Sequence, residues 1–99
     1  MILEQAVLAV KPGQAAAFED AMRGALPLIA ATPGFQGIEI RPCLEHRGRY
    51  LLLARWDTLE AHTVDFRESA RYQEWRRLLH HFYDPFPDFL RFGPPVAAA

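Results

Sequence analysis

Apolar positions along this chain switch between two periods. Residues 2–10, "ILEQAVLAV", form a short apolar run rich in branched side chains and closed by "KPG". The short run and sharp stop predict a strand. Over residues 14–31, Phe18, Met22, Ala25 and Ile29 recur at three- and four-residue steps, so an amphipathic helix is expected. Pro27 lacks the N–H that would reach the carbonyl of Arg23, so the helix should bend or tighten there. Thr32-Pro33-Gly34 should end it. "FQGIEIRPCLEH" then alternates, with Gln36, Ile38 and Ile40 opposite Gly37, Glu39 and Arg41. A turn at 47–49, with Gly48 free to take positive φ, leads into a further strand over 50–56, "YLLLARW". Asp57 and Glu60 have capping-box spacing and start a helical segment. Ser69 is the expected N-cap of a second segment, 70–82, with Tyr72, Trp75, Leu79 and Phe82 on one face. "DPFPDFLRFG" reads as a last strand whose prolines suit an edge.

The order β-α-β-β-α-β is the split βαβ, ferredoxin-like pattern: an α+β fold with a four-stranded antiparallel sheet and helices on one face. A single domain over 1–93 is expected, followed by a loose tail, 94–99. An antiparallel sheet with one wet face shows clean apolar/polar alternation, and these strands do not. In 50–56, Tyr50, Leu52, Ala54 and Trp56 share one face, while Leu51 and Leu53 occupy the other. In the first strand, Leu3, Val7 and Ala9 oppose Ala6, Leu8 and Val10, and neither parity reads as polar. Two helices cover one side only. A second copy of the chain is the simplest cover for the other, and a homodimer packed sheet on sheet is expected. Burying about 600 Å² of apolar surface per subunit would contribute on the order of 15 kcal/mol before association costs.

Composition supports that picture and removes others. The hydrophobic fraction is 51%, high enough to suggest apolar surface hidden in a partner contact. Eleven basic residues against 12 acidic ones create no field to attract nucleic acid or an anionic membrane. Arg67, Arg71, Arg76 and Arg77 alternate with Glu68 and Glu74 and read as a solvated helix face. One cysteine, Cys43, excludes an internal disulfide and a Cys-rich metal site. With no signal-peptide pattern and no membrane-length apolar stretch, a soluble cytoplasmic protein is expected. No Gly-rich phosphate loop and no metal-ligand spacing occur, so no cofactor or metal is expected.

"VKPGQAAAFEDAM", "TPGFQGIEIRP" and "YLLLARWDTLEAHTVDFRESARYQEW" resemble the antibiotic biosynthesis monooxygenase (ABM) domain over essentially the whole chain. The most specific stretch is Trp56 followed by "DTLEAH", then Phe66 and Ser69-x-x-Tyr72. The resemblance implies a dimeric α+β barrel. It also implies a family that includes cofactor-independent oxygenases of aromatic compounds, quinol oxygenases, haem-degrading enzymes and members without known activity. The haem-degrading branch uses an asparagine in the first strand and a histidine ligand in the long helix. The matching positions here are Ala6 and Trp75 or Arg76, so haem degradation is not expected. The chain contains no asparagine at all, so the asparagine of some oxygenase members is missing too.

In such a fold the ligand space lies between sheet and helices. Trp56, Phe66 and Trp75 could form a stacking wall for a flat aromatic substrate, or simply fill a small core. His62 is the candidate base, because imidazole titrates in the useful range and could take a phenolic proton. Tyr72, or an arginine such as Arg55, could stabilise the resulting oxyanion. Adjacent His80 and His81 point about 100° apart on a helix and cannot share a metal. Both look suited, when protonated, to the end of a helix. His46 is expected at the surface. The leading expectation is a cofactor-independent monooxygenase of a small phenolic or quinol-type compound. The alternative is a non-enzymatic binding or structural dimer module. The volume of the enclosed space separates them.

Overall fold

The computed structural model describes all 99 residues. Strand β1 spans Ile2–Ala9, helix α1 Ala15–Ala30, β2 Phe35–Pro42 and β3 Arg49–Trp56. A short π-helix, Ala61–Phe66, precedes α2, Ala70–Leu79, which runs into a 3₁₀ turn, His80–Phe82. β4 is only three residues long, Leu90–Phe92. The strand expected across the proline-rich segment is therefore confined to its last part, where it pairs with β1. The sheet order is β2-β3-β1-β4 with every neighbour antiparallel. With both helices on one face, this is the ferredoxin-like α+β fold. No helix is long and apolar enough to cross a membrane.

The stripe read in α1 is the one that is buried: Phe18, Met22, Ala25 and Ile29 face the sheet. The helix runs through Pro27, and its end tightens, with the Thr32 N–H donating to the Ile29 carbonyl three residues back. In β3, Tyr50, Leu52, Ala54 and Trp56 pack under the helices, while Leu51, Leu53 and Arg55 turn outward. Two local readings are corrected. A bulge between Phe35 and Gly37 makes Gln36 the extra residue, so Phe35, not Gln36, joins Ile38 and Ile40 on the core side. Asp57 is not a cap. Its N–H donates to the Gly34 carbonyl and its carboxylate accepts from Gln36, while Thr58 Oγ1 receives the Ala61 N–H at 3.1 Å. Ser69 does cap α2, accepting the Tyr72 N–H at 3.1 Å.

Gly34 holds the corner between α1 and β2 at φ 84°, and a Cβ there would lie 2.8 Å from that of Ala61. Left-handed backbone and the clash act together. Gly34→Ala is expected to lower stability by about 1–3 kcal/mol, read as a shift in urea midpoint at unchanged m-value. A midpoint equal to wild type would show that this corner can relax at no cost.

Candidate functional site

Glu4 lies on the helix-facing parity of β1 with Ala6 and Leu8, and only 4% of it is exposed. A carboxylate so placed needs partners. It has two. The Trp56 indole N–H, from the neighbouring strand, donates to Glu4 Oε1 at 3.0 Å. His62 Nε2, from the π-helix, lies 3.2 Å from Oε2. In a neutral imidazole, a proton on Nε2 faces this carboxylate and the lone pair sits on Nδ1. His62 is 2% exposed, and its Nδ1 has no hydrogen-bond partner in the protein.

Aromatic rings fix this arrangement. Trp56 lies beneath both His62 and Phe66, with centroids 5.2 and 5.9 Å away. Phe66 in turn meets Tyr72 and Trp75 edge-on at 5.3 and 5.8 Å. Glu4, His62, Phe66, Tyr72 and Trp75 line one chamber between the sheet and the helices, closed on its remaining sides by Ile29, Leu52, Arg67, His80 and Phe89. All five residues singled out in the sequence, His62, Tyr72, Trp56, Phe66 and Trp75, are thus brought together. Trp56 is the one that stands behind the wall, in contact with His62 and Glu4.

The chamber itself is about 20 Å³. That is room for one water, not for an aromatic ring. Larger hollows lie elsewhere and are open to solvent. A cleft of about 340 Å³ separates α1 from β2, floored by Met22, Ile38 and Ile40. At its end the Tyr50 hydroxyl donates to Glu19 at 2.6 Å. Burial, reinforced by that carboxylate, pushes the Tyr50 phenol up to about 12.

Other expectations fall differently. Arg55 points to the outer face of the sheet, away from the chamber, because it has the opposite parity to Trp56. Of the four arginines read as a solvated face, Arg76 and Arg77 are exposed, and Arg77 pairs with Glu74. Arg67 lines the chamber, and Arg71 reaches back to Thr32 Oγ1 at 3.3 Å. His80 is not a cation at a helix end. Burial, then the charges of Arg76 and Arg67, hold it down to about 4, so it is neutral at pH 7. His81 and His46 are exposed. Sequence reasoning missed Glu4, although a lone acid at the inward parity of an apolar strand was a readable signal. It also missed Phe89, which had none.

The fold and this aromatic chamber define a small ferredoxin-like α+β domain, and comparison with known proteins gives the family. The family model for antibiotic biosynthesis monooxygenases matches residues 1–78, and the chain belongs to that family. YczJ of Bacillus subtilis (strain 168) is 47% identical over 92 residues, covering 93% of this chain and 97% of that protein. A crystal structure from Bordetella bronchiseptica, assigned to the antibiotic biosynthesis monooxygenases, is 35% identical with a TM-score of 0.89, covering 96% of this chain and 97% of that one. SnoaB from Streptomyces nogalater, a cofactor-independent oxygenase, shares the fold at 14% identity. Its TM-score is 0.82, with 97% of this chain and 94% of that one covered.

Proposed function

We propose that this protein is a cofactor-independent monooxygenase of a small hydroxylated aromatic compound, with His62 as its base. The observation that carries this reading is the buried Glu4–His62 contact, which leaves an unpartnered Nδ1 among aromatic rings. A buried imidazole with one nitrogen held by a carboxylate is oriented and fixed in one tautomer. The free nitrogen is then available to take a phenolic proton. The conjugate base passes an electron to O₂, and the two radicals join through a new C–O bond at an activated ring methylene. Loss of water from the hydroperoxide leaves a carbonyl. The sum R₂CH₂ + O₂ → R₂C=O + H₂O balances, because the carbon supplies all four electrons and no external reductant enters. Tyr72 orients the substrate oxygen, and Phe66 and Trp75, with Trp56 behind them, form the stacking wall. SnoaB, of the same fold, makes the absence of a cofactor a natural part of this reading.

The water-sized chamber favours a second reading, a dimer module with a filled core. Enzyme action requires the wall at Arg67 and Phe89 to part. Oxygen uptake with a panel of anthrones and quinols decides between the two. For the enzyme, turnover should fall by about 10²–10⁴ in His62→Ala. Uptake by that variant equal to wild type would remove His62 from the mechanism. No uptake and no binding with any of the panel would leave the filled module.

The functional unit in this reading is a homodimer joined through the outer sheet face. Leu3, Val7, Leu51, Leu53, Leu90 and Phe92 give that face its apolar character. Val7, Leu90 and Phe92 are 49, 53 and 45% exposed in the single chain.

A further inference from the structure

Arg67 has an unusual position for a guanidinium. It is half-buried on the chamber wall, yet no carboxylate lies within ion-pair distance and no side-chain hydrogen bond engages it. Its Cζ sits 5.7 Å from the ring centroid of Tyr72 and 5.7 Å from that of Phe89. The π-helix explains how it comes to face the same space as His62. The Arg67 N–H donates to the His62 carbonyl five residues back, at 3.2 Å. In an α-helix, at about 100° per residue, side chains five apart point about 140° away from each other. The wider π turn brings both onto the chamber, the kind of adjustment found at functional sites. Glu4, the carboxylate of the chamber wall, is already engaged by Trp56 and His62. The uncommitted charge of the chamber is therefore positive.

We propose that Arg67 is a specificity-determining residue that recognises an anionic oxygen, carboxylate or phenolate, on a flat aromatic ligand. The ligand's ring takes the place that Phe89 now holds against the guanidinium. This rests on the reading of the chamber as a ligand site. A guanidinium stacked on aromatic faces keeps its in-plane N–H groups free for an oxyanion. Phe89 comes from the irregular stretch between the 3₁₀ turn and β4, outside any helix or strand. It can be displaced without breaking a ladder of backbone hydrogen bonds.

The test compares 1-naphthoate with 1-naphthamide, equal in ring and differing in charge. Binding is read by quenching of Trp56 and Trp75 and by calorimetry, with circular dichroism confirming that each variant is folded. Wild type should bind the naphthoate at least about tenfold more tightly. Arg67→Gln should abolish that preference, costing the naphthoate at least about tenfold more affinity than the naphthamide, and Arg67→Lys should keep part of it. Phe89→Ala should strengthen binding of both. Equal affinity of wild type for the two ligands would overturn the role of Arg67 while leaving the chamber a ligand site. So would equal losses for both in Arg67→Gln. If neither ligand bound to wild type or to Phe89→Ala, the proposal and the chamber reading would fall together.

Discussion

Glu4→Ala is expected to destabilise the protein by about 3–5 kcal/mol, in line with roughly 1–3 kcal/mol for each buried polar N–H left without its acceptor. The reason is what stays behind. The Trp56 indole N–H donates to the Glu4 carboxylate and His62 Nε2 lies 3.2 Å from its other oxygen, both from fully buried positions. Without it, both groups lose their acceptor at buried positions. A domain of this size has roughly 5–15 kcal/mol in total, so the variant approaches the unfolding threshold. At about 4–8 °C per kcal/mol, the melting temperature should fall by at least about 12 °C. Glu4→Gln should fall between the two, because an amide offers one acceptor oxygen where the carboxylate has two. The scans must be run at one protein concentration, since a dimer's melting temperature depends on it. A loss under about 3 °C in Glu4→Ala would mean that the core re-satisfies both donors and that the contact is not a keystone.

The second large effect concerns the outer sheet face. Wild type should scatter light as a particle of twice the 11.3 kDa chain mass, and Val7→Asp combined with Leu53→Asp should return it to a single chain. Val7 pairs with Leu51 and Gln5 with Leu53, so the two substitutions sit on adjacent strands on one surface. Neither touches the helix side, where Ala6, Leu8, Leu52 and Ala54 hold the core. Two charges facing their own copies across a desolvated interface cannot be paired, and each costs several kcal/mol. The secondary structure of the separated chain should persist in circular dichroism. A wild-type particle of one chain mass at micromolar concentration would end the dimer proposal outright.

The comparison with β1 shows where a pattern misleads. Counting apolar residues on each parity made both faces look alike, because Glu4 and Gln5 fall on opposite faces of a mostly apolar strand. In the folded chain they have different fates. Glu4 is buried against His62, and Gln5 lies half-buried on the open face between Leu53 and Leu90. The bulge at Gln36 is a similar case: alternation predicts a face correctly only until an extra residue reverses it.

By itself the sequence determined the element order, the buried stripe of α1, the inward face of β3 and the cap at Ser69. Each of these depends on residues within a turn or two, and periodicity reports on that range. It also brought forward His62 and its aromatic neighbours. Only the tertiary structure decided what His62 touches, since Glu4 and Trp56 are 52 residues apart in the chain and meet across two strands. The volume of the chamber was likewise set by packing: Phe89, from a stretch with no period of its own, closes the space that the two layers leave. Volume is a difference between many large quantities in three dimensions, and no local pattern encodes it.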